Sequence, residues 1–171
     1  MTPAAVQRAA ALTSRPLPFT APSKAEYLRQ IAMAGRPLAQ MGDHYGHDPI
    51  LNTLVLHEVN RVRRGRIQDI AHLGVALGML GGDKLASLIK QTPSVEEAIP
   101  TAIAQRHYRR LLLRAAHAAQ QALDWAMAIG DPAPLELRLA AVAYQIAELA
   151  LCVQQPKDYI GYLRETEFRN M

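Results

Sequence analysis

Apolar residues along this chain recur at every third and fourth position, the spacing that places them on one face of a helix. No stretch shows the strict apolar and polar alternation of a half-buried strand. The pattern therefore predicts an all-α fold of about seven helices. Start and stop signals place the segments at about 24–34, 37–41 as a short turn, 48–60, 70–80, 83–90, 94–128 with a break near Pro100, and 132–153, and an amphipathic piece, DYIGYLRETEF, closes the chain.

The segment at 132–153 carries two apolar stripes that lie nearly opposite each other on a helical wheel. One stripe consists of Leu135, Leu139, Val142, Ile146, Leu149 and Val153, and the other of Ala140, Tyr144, Ala147 and Leu151. A helix with two such stripes is typical of the centre of a bundle. We therefore expect Tyr144 to be a core residue whose hydroxyl has a hydrogen-bond partner.

Length and composition predict one domain. The chain has 171 residues, 50% of them hydrophobic, and shows neither an internal repeat nor a long linker. We expect residues 1–23, rich in Ala, Pro, Thr and Ser, to form a loose tail before a domain at 24–171. The single cysteine, Cys152, excludes an internal disulfide, and no run approaches the roughly 18 apolar residues of a membrane span. A soluble cytoplasmic protein without membrane contacts is expected.

The stretch DHYGHDPILNTLVLHEVN, residues 43–60, raises the question of a metal site. It contains His44, His47, Asp48, His57 and Glu58. However, Asp48 before Pro49 is typical of a helix start, because the carboxylate accepts from an unpaired amide and proline needs no partner at the first position. No two ligands stand four residues apart on a helix with a third converging on them. We interpret Asp48 as a cap and the loop histidines as solvated.

The same stretch resembles the opening of HDOD domains, the HD-related output domains of bacterial signalling proteins. The shared positions are Asp48, Pro49, Leu51, Val55, Leu56 and Asn60, then Gly65 and Ile70, and then Ala76, Leu80, Gly81, Asp83, Leu85 and Leu88 in ALGMLGGDKLASL. The resemblance covers about 40 residues at consistent spacing. It implies a single-domain HD-like helical bundle.

The resemblance also implies where a metal-binding His-Asp dyad would lie. In catalytic HD domains this pair occupies a late buried helix, and the best counterpart here is VAYQIAE, residues 142–148, with Tyr144 and Gln145 at the dyad positions. A neutral phenol with a pKa of about 10 and an uncharged amide cannot replace an imidazole and a bridging carboxylate. We therefore expect no catalytic residue, no metal and no cofactor.

Other catalytic motifs are missing from the sequence. It has no G-x-S-x-G elbow, no phosphate-binding loop and no paired-cysteine spacing. Gly78, Gly81 and Gly82 could suggest a phosphate-binding loop. We interpret them, with Asp83, as the end of one helix and the capped start of the next. Cys152 lies within an apolar segment, which favours an inert core thiol.

Eight of the 19 basic residues form two clusters without acids. One consists of Arg106, Arg109, Arg110 and Arg114. Within it Arg106, Arg110 and Arg114 recur at every fourth position opposite an apolar face, which favours a solvated stripe. Arg61, Arg63, Arg64 and Arg66, in RVRRGR, are placed in a connection. Four guanidiniums so close repel one another unless an anion compensates, and arginine suits bidentate contact with carboxylate or phosphate. The first cluster is therefore predicted either to contact an anion or an acidic protein surface or to be a solvated loop.

Two functions follow from these observations. The resemblance implies a non-catalytic signal-transduction module that binds a partner protein or a small regulatory ligand. The alternative is a nucleic-acid-binding or nucleotide-binding protein that uses the clusters at 61–66 and 106–114, with which the pI near 9.5 is compatible. A net charge of +4 is modest for that role, and no helix-turn-helix pattern accompanies it. The alternative therefore ranks second.

Overall fold

The computed structural model describes residues 16–33, 37–63 and 70–169, with side chains through residue 163. This part of the chain is all-helical, as predicted, with nine helices of eight or more residues and one of a single turn. They are α1 (Ala21–Ala32), α2 (Leu38–Tyr45), α3 (Pro49–Val62), α4 (Leu73–Leu80), α5 (Gly82–Gln91), α6 (Val95–Ala98), α7 (Ala102–Ala128), α8 (Pro134–Tyr144), α9 (Ile146–Gln154) and α10 (Pro156–Arg169).

Local capping bonds explain where several helices begin. The Asp48 carboxylate accepts from the amides of Ile50 at 2.7 Å and Leu51 at 3.0 Å, which confirms the predicted cap at the start of α3. Thr20 and Thr101 cap α1 and α7 in the same way. The predicted break near Pro100 is confirmed, since α6 ends at Ala98 and α7 begins at Ala102.

The core lies between α3, α4, α5 and the buried face of α7, and α9 and α10 close it from another side. Its largest fully buried side chains are Tyr108, Tyr159, Phe19, Leu51, Leu77, Leu85, Ile89, Ile99 and Leu149. Cys152 is also fully buried, and burial raises the pKa of its thiol to about 11. These properties agree with a core thiol.

Leu17, Pro18 and Phe19, in the segment expected to be a loose tail, are packed against the helices, and residues 21–23 of that segment begin α1. Phe19 is only 1% exposed, its amide donates to Pro93 O at 3.1 Å, and its carbonyl accepts from Val95 N at 2.9 Å. Buried Tyr108 donates to Pro18 O at 3.0 Å. The segment was expected to be loose because of its average composition, but its one large aromatic side chain, Phe19, is part of the core. Residues 1–15 lie outside the described part.

The single helix predicted at 132–153 is wrong, because Gln145 divides it into α8 and α9. The Gln145 amide donates to Val142 O, three residues back, so the last turn of α8 has a hydrogen bond of the 3₁₀ type. The prediction that Tyr144 is a core residue is also wrong, since it is 83% exposed. Ala140, Ala143 and Ala147 are exposed on the same side. Exposing small alanine side chains costs little, so this stripe needs no cover.

Two glycines let α2 and α4 approach each other closely. A Cβ on Gly42 would lie less than 3 Å from the backbone of Gly74. The buried guanidinium of Arg138, on α8, then holds the end of α2 by donating to Gly42 O at 3.2 Å and Asp43 O at 3.3 Å. These contacts fix the turn that carries His47 and Asp48 into α3.

None of the helices that the structure describes is both long enough and apolar enough to cross a bilayer.

Candidate functional site

The first arginine cluster is only partly within the described residues. Arg61 lies in the last turn of α3, not in a connection, and its Nε donates to Glu58 Oε2 at 2.9 Å. Lys84 contacts the other Glu58 oxygen at 3.2 Å. The hydrogen bond from Arg61, with help from Lys84, lowers the pKa of Glu58 to about 2. The Arg61 guanidinium therefore forms an ion pair within the protein.

Arg63 ends α3 and lines a cavity of about 510 Å³ together with His72 and Glu136. Its Nε is buried and has no hydrogen-bond partner among the residues that the structure describes. Arg64, Gly65 and Arg66 lie outside the described residues, so the hypothesis that RVRRGR contacts an anion stays a prediction.

The residues that carry the resemblance have structural roles here. Asp48 and Pro49 begin α3, and the Asn60 side chain hydrogen-bonds both backbone groups of Ile70. Gly81, at φ 77°, lies between α4 and α5, which confirms the predicted end of one helix and start of the next at this position. Asp83 lies exposed in the first turn of α5, where a carboxylate is favoured by the helix dipole, but it makes no capping bond.

The dyad positions hold groups that are unsuited to bind a metal. Tyr144 points into solvent, whereas Gln145 is buried and its side-chain oxygen accepts from Arg114 NH2 at 2.9 Å. Arg114 also pairs with Glu148. In the described ranges no three His, Cys, Asp or Glu side chains are grouped as a metal site would require.

The second arginine cluster is divided between paired and free guanidiniums. Arg109 pairs with Glu96 of α6, and Arg114 pairs with Glu148 of α9. Arg106 and Arg110 are exposed, and neither has a partner among the described side chains. Arg106, Arg110 and Arg114 are all exposed, as a solvated stripe requires, but Arg114 is in addition ion-paired.

The histidines around the opening turn differ in exposure. His44 is exposed at the end of α2, where its ring meets Tyr45 edge-on at 4.5 Å, and His57 is exposed on α3. His47 was expected to be solvated, but it is partly buried. Burial lowers the pKa of its ring. His47 lines a concave surface of this region.

That surface is a groove along α7. One part, of about 730 Å³, lies between α7 on one side and the start of α1 and the α2–α3 turn on the other. A second part, of about 580 Å³, continues past Arg114, His117 and Gln120. The two parts share His47, Leu113 and Ala116, so we treat them as one feature, the α7 groove.

The floor of the α7 groove is apolar. Leu112 and Ala116 are partly buried, whereas Leu113 is 72% exposed. Pro22 and Pro49 face them across the groove. The sequence contains one sign of this surface: three consecutive leucines at 111–113 cannot all face the core of one helix.

The wall opposite α7 is rigid and polar. Buried Tyr27 donates to the Asp48 carboxylate, and Tyr45 donates to Glu26 Oε1 at 3.0 Å. The rings of Tyr27 and Tyr45 pack edge-on at 4.9 Å. Burial beside Asp48 raises the pKa of Tyr27, so this phenol remains a proton donor.

The carboxylates that line the groove each have partners within the protein. Glu26 accepts from Gln30, Arg29 and Tyr45, and these bonds lower its pKa to about 2. Glu96 pairs with Arg109, whereas Asp48 accepts from two amides of α3 and from the Tyr27 hydroxyl, which are neutral donors. The groove is therefore lined by three carboxylates, two of which are paired with arginines.

No family model, curated protein or solved structure matches this chain.

Proposed function

We propose that this protein is a non-catalytic regulatory module of bacterial signal transduction, built on an HD-like helical scaffold, that acts by binding a partner protein or a small regulatory ligand. One observation carries the proposal. Where the HDOD resemblance puts the dyad, Tyr144 is exposed and Gln145 is committed to Arg114, while the motif residues Asp48 and Asn60 make bonds within the fold. The scaffold-forming residues of the motif are present and the metal-binding ones are replaced.

A binding role is also supported by the α7 groove, which has an exposed apolar side chain and a fixed polar wall. Such concave, largely preformed surfaces are the usual sites of recognition. The nucleic-acid alternative loses support because Arg61, Arg109 and Arg114 are each paired with a glutamate. Phosphate contacts by these three residues would have to compete with those ion pairs.

The proposal is tested by elemental analysis of the purified chain, by phosphodiesterase assays with and without added Mn²⁺, and by capture of partners from bacterial lysate at low and high salt. We expect no stoichiometric Fe, Mn or Zn, no hydrolysis, and one protein species that is retained at high salt. Metal bound at one or two ions per chain, lost on substitution of Tyr144 or Gln145, would overturn it. Recovery of nucleic acid only, released by moderate salt, would favour the alternative.

A further inference from the structure

We infer that the cavity lined by Arg63, His72 and Glu136 binds a small zwitterion, an α-amino acid with an apolar side chain, whose carboxylate pairs with Arg63 and whose ammonium pairs with Glu136. This inference rests on the proposed binding function and names the chemical class of its small regulatory ligand.

The two opposite charges that line this cavity are both unpaired. The Arg63 side chain has no hydrogen bond or ion pair with any residue that the structure describes, and its Nε is buried. The Glu136 side chain, in the first turn of α8, also has no partner within the described ranges. Both side chains line one cavity of about 510 Å³, yet they do not pair with each other.

This arrangement differs from that of the neighbouring arginines. Arg61, Arg109 and Arg114 each form an ion pair with a glutamate. A buried donor without a partner is rare in folded proteins, and one on a charged group is costly. The planar guanidinium suits two parallel hydrogen bonds to a carboxylate. The Arg63 side chain is therefore the group of this cavity that would hold a ligand carboxylate.

The ring of His72 adds a second donor to the cavity. Its Nδ1 accepts from the Val75 amide at 3.3 Å, at the start of α4. The neutral ring therefore carries its proton on Nε2, which can donate to a ligand oxygen.

The Glu136 carboxylate argues against a ligand that carries only negative charge. Phosphate or a nucleotide bound at Arg63 would place its charge in the same cavity as this carboxylate. A ligand with only a positive charge would leave Arg63 without a partner. A zwitterion satisfies both side chains at once.

The rest of the cavity lining favours an apolar ligand side chain. Its larger members are Ile70, Val75, Pro132, Pro134 and Leu135. Val75 is 49% exposed, so an aliphatic or aromatic ligand group would cover it. Apolar walls with a few polar groups that fix orientation are typical of small-molecule sites.

The experiment is isothermal titration calorimetry of the full chain with L-leucine, L-isoleucine, L-methionine and L-phenylalanine, and then with L-aspartate, L-lysine and inorganic phosphate. Each apolar amino acid that binds is compared with its amide, which lacks the carboxylate, and with its deaminated acid, which lacks the ammonium. For L-leucine these analogues are L-leucinamide and isocaproate.

The test variants are Arg63→Gln and Glu136→Gln. Their matched controls are Arg110→Gln and Asp124→Asn, at exposed positions of α7 that do not line the cavity. Circular dichroism establishes that every variant is folded. Because the two analogues test each ligand charge on the original chain, the inference can still be decided if a variant does not fold.

We expect at least one apolar amino acid to bind. It should bind about tenfold tighter than its amide, because Arg63 is partly buried, and about threefold tighter than its deaminated acid, because solvent screens exposed Glu136. Arg63→Gln should remove the preference over the amide, and Glu136→Gln should remove the preference over the deaminated acid. The control variants should bind like the original chain.

Four results would overturn the inference: no binding of any apolar amino acid, equal binding of the amino acid and both analogues, binding that neither test variant changes, or L-aspartate or L-lysine bound as tightly as any apolar amino acid. Phosphate bound in place of amino acids, and lost in Arg63→Gln, would replace it with a simple anion site. The proposed function fails separately, on metal content and hydrolysis. A protein partner captured from lysate by a chain that binds no amino acid would leave that function standing and remove this site.

Discussion

The side chain of Asn60 closes a loop by binding both backbone groups of Ile70. Its Nδ2 donates to the Ile70 carbonyl at 2.9 Å, and its Oδ1 accepts from the Ile70 amide at 2.8 Å. This pair of bonds joins the last turn of α3 to the segment that leads into α4. It gives a physical reason for the asparagine at position 60, whereas Ile70 contributes only backbone groups, so the bonds do not require isoleucine there.

Replacing Asn60 by Ala should therefore destabilise the protein by about 1 to 3 kcal/mol, because both partly buried backbone groups lose their partner. Urea denaturation measures the change in the free energy of unfolding, with one m-value fitted to both the variant and the original chain. His57→Ala, at an exposed position of the same helix, is the control and should shift stability by about 0.5 kcal/mol or less. An Asn60→Ala variant as stable as that control would contradict the role of the bond pair.

Replacing Asp48 by Ala should cost about 2 to 4 kcal/mol, more than an ordinary cap. The change removes the acceptor of two α3 amides and also leaves the hydroxyl of buried Tyr27 without its partner. Asp48→Asn keeps a capping oxygen and should lose much less. Denaturation in the presence of a chelator and of added Zn²⁺ should give the same values, and a metal-dependent loss would mean that Asp48 is a ligand.

The glutamate at the end of α3 should give a pH-dependent contribution to stability. The pKa of Glu58 is lowered in the folded protein to about 2, chiefly by Arg61. A lowered carboxyl pKa means that the stabilisation is present above the unfolded value, about 4.5, and is lost as the pH falls towards 2.

Glu58→Gln should therefore lower stability at neutral pH by about 1 kcal/mol, since solvent screens the half-exposed Arg61 and Lys84. The difference from the original chain should shrink as the pH falls from about 5 to 2. Asp124→Asn, at an exposed position of α7 where the asparagine oxygen can still accept from Gln120, should follow the original chain throughout. A constant difference across this pH range would show that the ion pair is not its cause.

Neighbouring substitutions at the dyad positions should have opposite effects. Tyr144→Ser should change the free energy of unfolding by about 0.5 kcal/mol or less, because this side chain is 83% exposed. Gln145→Ala should cost more than about 1 kcal/mol, because it deletes a buried acceptor of Arg114 at the junction of α8 and α9. Equal and large losses at both positions would mean that Tyr144 is covered in solution.

The parts of the fold that the sequence predicts well are those set by local chemistry. Asp48 before Pro49, Gly81, and the break at Pro100 each depend on the preferences of one or two residues, and all three lie where they were predicted. A cap or a positive φ is decided within a few residues of the chain, so sequence suffices.

The features that the sequence failed to predict depend on contacts between segments that are distant along the chain. Tyr144 is on an apolar stripe, but no described helix packs over it. Gln145, where the helix breaks, has its side chain hydrogen-bonded to Arg114 of α7. Phe19 is core because it meets the segment before α6, far along the chain. The α7 groove joins residues of α1, α2 and α7 in the same way, and no periodicity in one segment reveals such a surface.

The contact between Gly42 and Gly74 leaves no room for a side chain at position 42. Even alanine at Gly42 would place its Cβ within 3 Å of the Gly74 backbone, so α2 would have to move away from α4. Because α2 leads directly into the turn of His47 and Asp48, that movement would shift the wall facing α7. The close packing of Gly42 on Gly74 thus sets the width of the α7 groove, and a chain with a larger residue at position 42 should have a groove of different width.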